Sequence, residues 1–114
     1  MNNVEYQMRQ LIREIKRSNI YNQFRRLQMK IDKNEELSAR VNAFRRESFT
    51  LQNTPAESET LNRLEALNRE YEDILRDPDV LEFLAAEQGL AAMMNRLTDQ
   101  IFGSLDLDIS FLDE

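Results

Sequence analysis

The chain contains no cysteine, no histidine and no tryptophan in 114 residues, and only two glycines and two prolines. Each absence closes off a class of chemistry. Without cysteine there are no disulfides, no thiolate metal sites and no cysteine nucleophile, which fits a reducing cytoplasm. Without histidine the usual base of a nucleophilic triad is missing, as are the histidines that carboxylate-bridged di-iron bundles need at defined offsets. Glu59, Glu70, Asp73 and Asp77 have helical spacing, but acids on a helix are ordinarily solubilising. Two glycines cannot build a phosphate-cradling loop. No apolar run approaches the roughly 18 residues of a membrane span, and the opening MNNVEYQMRQ lacks the basic-then-apolar layout of a signal peptide. A cytoplasmic protein without catalytic residues, metal or cofactor is the expectation.

What the chain has is helical periodicity. Apolar residues make up 41% and charged residues 32%, a globular composition with heavy surface charge rather than a disordered one. At this length a single domain over 1–114 is expected. The first segment, about 4–17, places Val4, Met8, Leu11, Ile12 and Ile15 on one face. Ser18 and Asn19 mark a break. A second segment carries Ile20, Phe24, Leu27 and Ile31. Asp32 to Glu35 reads as a capping box opening a third helix, with Leu37, Val41, Phe44, Ser48 and Leu51 in one stripe.

Asn53-Thr54-Pro55 is the clearest punctuation, with Thr54 and Glu57 as a second capping box and Pro55 at a first helical position. So short a link favours an antiparallel hairpin. The fourth helix carries Leu61, Leu64, Leu67, Tyr71, Ile74 and Leu75. Asp77-Pro78 starts a fifth that runs to about Phe102, with Gly103 as its stop. The tail, 103–114, alternates apolar and acidic residues. The expectation is an all-α bundle of about five antiparallel helices.

The fifth helix is too apolar for a simple surface helix. Val80, Phe83, Leu84, Ala86, Leu90, Ala91, Met93, Met94, Leu97, Ile101 and Phe102 fill about half its circumference. Either it lies at the centre of the bundle, or part of it meets another subunit, so self-association as a dimer or higher oligomer is expected. Phe44, Leu64, Tyr71, Leu84, Leu90, Met94 and Leu97 are the candidate core or interface residues. Glu87 falls inside the apolar arc and Asn68 inside the stripe of the fourth helix. Folding the helices back on one another about residues 53 and 77 sets both level with Arg40. Arg40, Asn68 and Glu87 can then share one polar layer, of a kind that fixes register more than it adds stability, or else they mark a polar seam or an interface edge.

The net charge of −6 conceals an asymmetry: residues 1–50 carry 11 bases and 6 acids, residues 51–114 carry 4 and 15. The basic clusters Arg25-Arg26 and Arg45-Arg46, with Lys16, Arg17, Lys30 and Lys33, allow an alternative function, a nucleic-acid-binding regulator. No groove-reading turn or stacking platform accompanies them, and halves that neutralise one another within or between chains account for the same asymmetry.

Three stretches, SNIYNQFRRLQMKIDKNEEL, VNAFRRESFTLQ and LNREYEDILRDPDVLEFLAAEQGLAAMMNRLTDQI, resemble the YlbF/YmcA family of small bacterial helical proteins in order and spacing. The resemblance implies a self-associating antiparallel helical fold and a regulatory role without catalysis. It also implies links to competence, sporulation and biofilm formation, and to a complex that modulates mRNA processing by the endoribonuclease RNase Y. Some members carry a cysteine-containing tail that can serve an iron–sulfur centre. This chain has no cysteine, so that cofactor does not carry over, and the family has no catalytic residues to transfer.

Overall fold

A computed structural model describes residues 3–53 and 58–106 of the chain. Among them are six α-helices and no strand: α1 (Asn3–Arg17), α2 (Asn19–Asp32), α3 (Glu35–Gln52), α4 (Ser58–Glu70), α5 (Glu72–Leu75) and α6 (Pro78–Ser104). The molecule measures 49 × 37 × 18 Å, and its radius of gyration is 17.6 Å. A compact chain of this length would have about 13 Å. The least dimension is about two helix layers, so much apolar surface lies far from any centre.

Local chemistry explains most boundaries. Ser18 is extended, and its hydroxyl accepts from the Tyr21 N–H while donating to the Ile15 carbonyl at 2.6 Å. One side chain thereby closes α1 and opens α2. Asp77 accepts from the Asp79 N–H at 2.9 Å, and Pro78 occupies the start of α6.

Three boundaries differ from the sequence reading. The cap of α3 is Asn34, whose Oδ1 accepts from the Leu37 N–H at 3.2 Å. Asp32 still belongs to α2, and its carboxylate accepts instead from the Ser38 hydroxyl at 2.9 Å. The expected fourth helix is interrupted at Tyr71. Arg40 donates to the Glu70 carbonyl at 3.1 Å, and the Ile74 N–H turns to the Tyr71 carbonyl. A guanidinium from another helix has taken an acceptor that an unbroken helix would use. Gly103 does not stop α6. The helix continues to Ser104, and the left-handed position falls on Asp106 with φ 54°, a conformation Asp tolerates better than most residues. The Thr54–Glu57 box and most of the alternating tail lie outside the described residues.

Leu27 and Ile31 of α2, Val41, Phe44 and Leu51 of α3, Leu67 of α4, Tyr71, Ile74 of α5, and Val80, Phe83 and Ala86 of α6 form the core. Every core residue named from α3 belongs to its expected stripe. α2 packs antiparallel along the first half of α6: Ile20 lies by Gly89, Phe24 stacks on Phe83 at 5.1 Å, and Lys30 bridges Asp79 at 3.0 Å. α3 runs antiparallel to α4 and α5, with Phe44 edge-on to Tyr71 at 5.4 Å and Arg40 on Asp73. The two halves of α6 therefore differ. Val80, Phe83 and Ala86 are buried, but no residue beyond Ala86 is.

Candidate functional site

The polar side chains of the hairpin are placed by α3. Leu37, Val41, Phe44 and Leu51 turn inward, so Arg40 and Arg45 emerge on either side of that stripe. Arg40 reaches α5. Its Nη2 donates to Asp73 at 2.7 Å and to the Glu70 carbonyl, and its guanidinium lies 4.7 Å from the Tyr71 ring centroid. Its Nε is a buried side-chain nitrogen without a partner among the described residues. The hydrogen bond to Arg40 holds the Asp73 carboxyl below its ordinary value, and the same bond raises Arg40. The Tyr71 phenol is pushed up chiefly by the Glu47 carboxylate, which accepts from its hydroxyl, and then by burial.

Arg45 reaches the other way, to α6. It pairs with Glu87, accepts support from Asn42 by donating to its Oδ1 at 3.0 Å, and lies 5.2 Å from the centroid of Phe83. Both members of the pair are about a third exposed. They border an open groove of about 820 Å³ between α3, α4, α5 and α6, lined also by Phe49, Gln52, Asn68 and Gln88.

The expected layer of Arg40, Asn68 and Glu87 is therefore not formed. Arg40 belongs to Asp73, Glu87 belongs to Arg45, and Asn68 is exposed on the groove wall. The levels were drawn from successive hairpins, but α6 returns alongside α2, which carries Glu87 to Arg45. Asp73 and Arg45 are the partners that sequence reasoning missed. Their signal was positional: each adjoins a core residue, Ile74 or Phe44, and so sits at a helix–helix border. Of the candidate core residues, Phe44 and Tyr71 are buried, Leu64, Leu84, Leu90 and Leu97 are half-buried, and Met94 is exposed.

Lys30–Asp79, Arg40–Asp73 and Arg45–Glu87 each join a base of the first half to an acid of the second. The charge asymmetry is thus partly neutralised inside one chain. That leaves a thinner basic surface: Arg25, Arg26 and Arg46 remain exposed, while Arg45 and Lys30 are engaged. No cluster of acids able to hold a metal ion occurs among the described residues, and no described helix is long and apolar enough to cross a membrane.

Two of these pairs give direct expectations. A double-mutant cycle on Arg45→Met and Glu87→Leu should return a coupling of about 1 kcal/mol, between the values of exposed and buried pairs. A coupling near zero would remove the pair from the account of how α3 holds α6. Asp73 governs an acid limb. Its folded value is depressed, so the contribution is complete above the unfolded value of about 3.9 and is lost as pH falls through the folded value. The urea midpoints of the native chain and of Asp73→Asn should therefore differ most near neutrality and converge in acid. A gap that stays constant across that range would show that charge is not the source.

The arrangement defines a small, thin, all-α protein whose charged groups bind one another and whose apolar residues are not all covered. Its sequence matches the family model for YlbF/YmcA, control of competence regulator ComK, over residues 4–106. The chain belongs to the YlbF/YmcA family. It is also similar to UPF0342 proteins: one from Caldicellulosiruptor bescii is 29% identical over 99 residues, covering 85% of this chain and 83% of the relative. One from Halothermothrix orenii is 28% identical over 105 residues, covering 89% and 87%. No solved structure matches the chain.

Proposed function

We propose that this chain is a non-catalytic, self-associating cytoplasmic adaptor. It acts by protein–protein contact in the control of competence and related development, through RNase-dependent mRNA processing. The observation that carries the reading is the distribution of uncovered surface. Val4, Met8, Leu11 and Ile12 of α1 are exposed, as are Met94, Ile101 and Leu105 at the other end of the chain. Contiguous apolar surface of this kind is what docking proteins present. Of the groove's polar side chains, Arg45, Glu87 and Asn42 are engaged with one another, which supports a binding surface more than a reactive one. The family's link to ComK control supplies the process.

The test is affinity capture of the tagged chain from its own cells, with the companions identified by mass spectrometry and the particle mass measured by light scattering. Recovery of ribonuclease machinery with a mass above the 13.5 kDa of one chain is the expected result. A monomer that binds RNA or DNA at sub-micromolar affinity, weakened by replacing Arg25, Arg26 and Arg46, would transfer the function to nucleic-acid binding.

A further inference from the structure

The interruption between α4 and α5 has no cause in the residues around it. No glycine or proline lies between 58 and 77. α5 has four residues, too few to form alone, and Tyr71 at its start offers no side-chain cap. Leu64, Leu67, Tyr71 and Ile74 fall three and four apart, so one unbroken helix would turn all four to the same side. These are the residues that the interrupted chain already packs into or against the core. What separates α4 from α5 is a contact from outside. Arg40 Nη2 donates to the Glu70 carbonyl at 3.1 Å, and Asp73 holds the same nitrogen at 2.7 Å.

We propose that Arg40 is the pin of a hinge, and that α4 and α5 exchange between the interrupted form and one continuous helix as the pin engages and releases. Release exchanges hydrogen bonds without losing any on the backbone. The Glu70 carbonyl gives up Arg40 and takes the Ile74 N–H, which in the interrupted form bonds to the Tyr71 carbonyl at 3.1 Å. The Tyr71 carbonyl keeps the Leu75 N–H, to which it is already bonded at 3.1 Å. The pinned form also carries a cost. Arg40 Nε is buried without a partner among the described residues, and an unmet buried donor offsets part of what the two bonds to Nη2 contribute. The Arg40 and Asp73 side chains are 42% and 64% exposed, so release hydrates both without opening the core.

The moving part is α4. Leu67 is the one buried side chain among its described residues, and light burial of this kind marks elements that open locally. Asn68 of α4 stands on the wall of the groove of about 820 Å³, across from Leu84, Glu87 and Gln88 of α6. Straightening at Tyr71 therefore changes the width of that groove, and Arg40 is the positioning residue that sets it. The hinge goes beyond the adaptor reading, because it belongs to the single chain whatever the groove meets.

The hinge is read at the hydrogen bond itself. Through-hydrogen-bond NMR couplings in this 13.5 kDa chain identify the acceptor of the Ile74 N–H. The native chain should couple to the Tyr71 carbonyl and Arg40→Met to the Glu70 carbonyl. A coupling that stays on Tyr71 in Arg40→Met would overturn the proposal. Should Arg40→Met fail to fold, Asp73→Asn carries the same test. Asp73 is exposed, and loss of its charge should populate both acceptors, whereas a purely native pattern would count against the hinge. The swing of α4 has its own readout. Leu61 stands ten residues from Tyr71, a lever of about 15 Å, so removing a kink of about 20° carries it by roughly 5 Å. Spin labels on Leu61→Cys and Asn95→Cys report that distance in a chain with no other cysteine, diluted with unlabelled chains so that only distances within one copy are read. Arg40→Met should move the distribution by about that amount, and an unchanged distribution would overturn the change in groove width.

Discussion

Phe83→Ala should cost about 3–5 kcal/mol, the largest loss expected from any single truncation in this chain. Phe83 is 2% exposed and is the largest of the fully buried side chains. It stacks on Phe24 with the rings 20° apart, and the Arg45 guanidinium rests near its ring. Truncation thus removes the transfer energy of the ring, leaves a cavity in a layer only two helices thick, and withdraws the surface against which Arg45 is aligned toward Glu87. Since whole domains are stable by only about 5–15 kcal/mol, the loss should unfold a large share of the molecules on mild heating. Urea denaturation of Phe83→Ala and Phe83→Leu measures it, the second costing under about 1.5 kcal/mol if volume is what matters. Phe49→Ala is the internal comparison. Phe49 is 68% exposed in the single chain, so its truncation should lie within about 0.5 kcal/mol of neutral. An equal loss at both positions would mean that the groove face is covered in solution.

The contrast between Phe83 and Phe49 shows what the sequence made legible. Periodicity placed Val41, Phe44, Leu51, Val80, Phe83 and Ala86 inward, and all are buried. Side chains that act on their own neighbours were readable too, as with the Ser18 break and the Asp77-Pro78 start. The failures share a cause, which is that a distant helix decides them. The break at Tyr71 depends on Arg40 taking the Glu70 carbonyl from 30 residues away. Nothing in the local sequence contains that contact. Asn34 displaced Asp32 as cap because α2 continues through Asp32, leaving the extended conformation to Asn34.

The candidate polar layer failed by the same route. Glu87 was correctly singled out as a charge within an apolar arc in need of a partner. Which partner it finds depends on the order in which helices pack. Successive hairpins would have brought it toward Arg40, but the long face shared by α2 and α6 outweighs them and brings it to Arg45. The question of whether the last helix is central or exposed also had no single answer. Its first half is core, and in its second half no residue is buried, although Leu90 and Leu97 are half-buried.

That α2–α6 contact depends on Gly89, and replacing it should produce the second large effect. A glycine inside a helix costs about 1 kcal/mol relative to alanine, so its presence there calls for a reason. The reason is close approach: a Cβ built at Gly89 would collide with Cδ1 of Ile20. For Gly89→Ala two effects oppose. The helix gains its propensity, and the clashing atom is the far end of a side chain that can rotate, so the net change should be within about 1 kcal/mol of zero. Gly89→Leu is different. Its extra carbons must displace α2 or force Ile20 off its rotamer, and overpacking of this kind costs about 1–3 kcal/mol. The strain should be specific to the Ile20 contact. Ile20→Ala placed behind Gly89→Leu should then recover part of the loss, although Ile20→Ala alone is destabilising. Gly103, with nothing within 4 Å of its Cβ position, supplies the control: Gly103→Leu should be neutral or stabilising for the isolated chain. Urea midpoints for the four single variants and the Ile20–Gly89 double variant decide it. Additive losses at Ile20 and Gly89 would show that α2 does not approach α6 at this point.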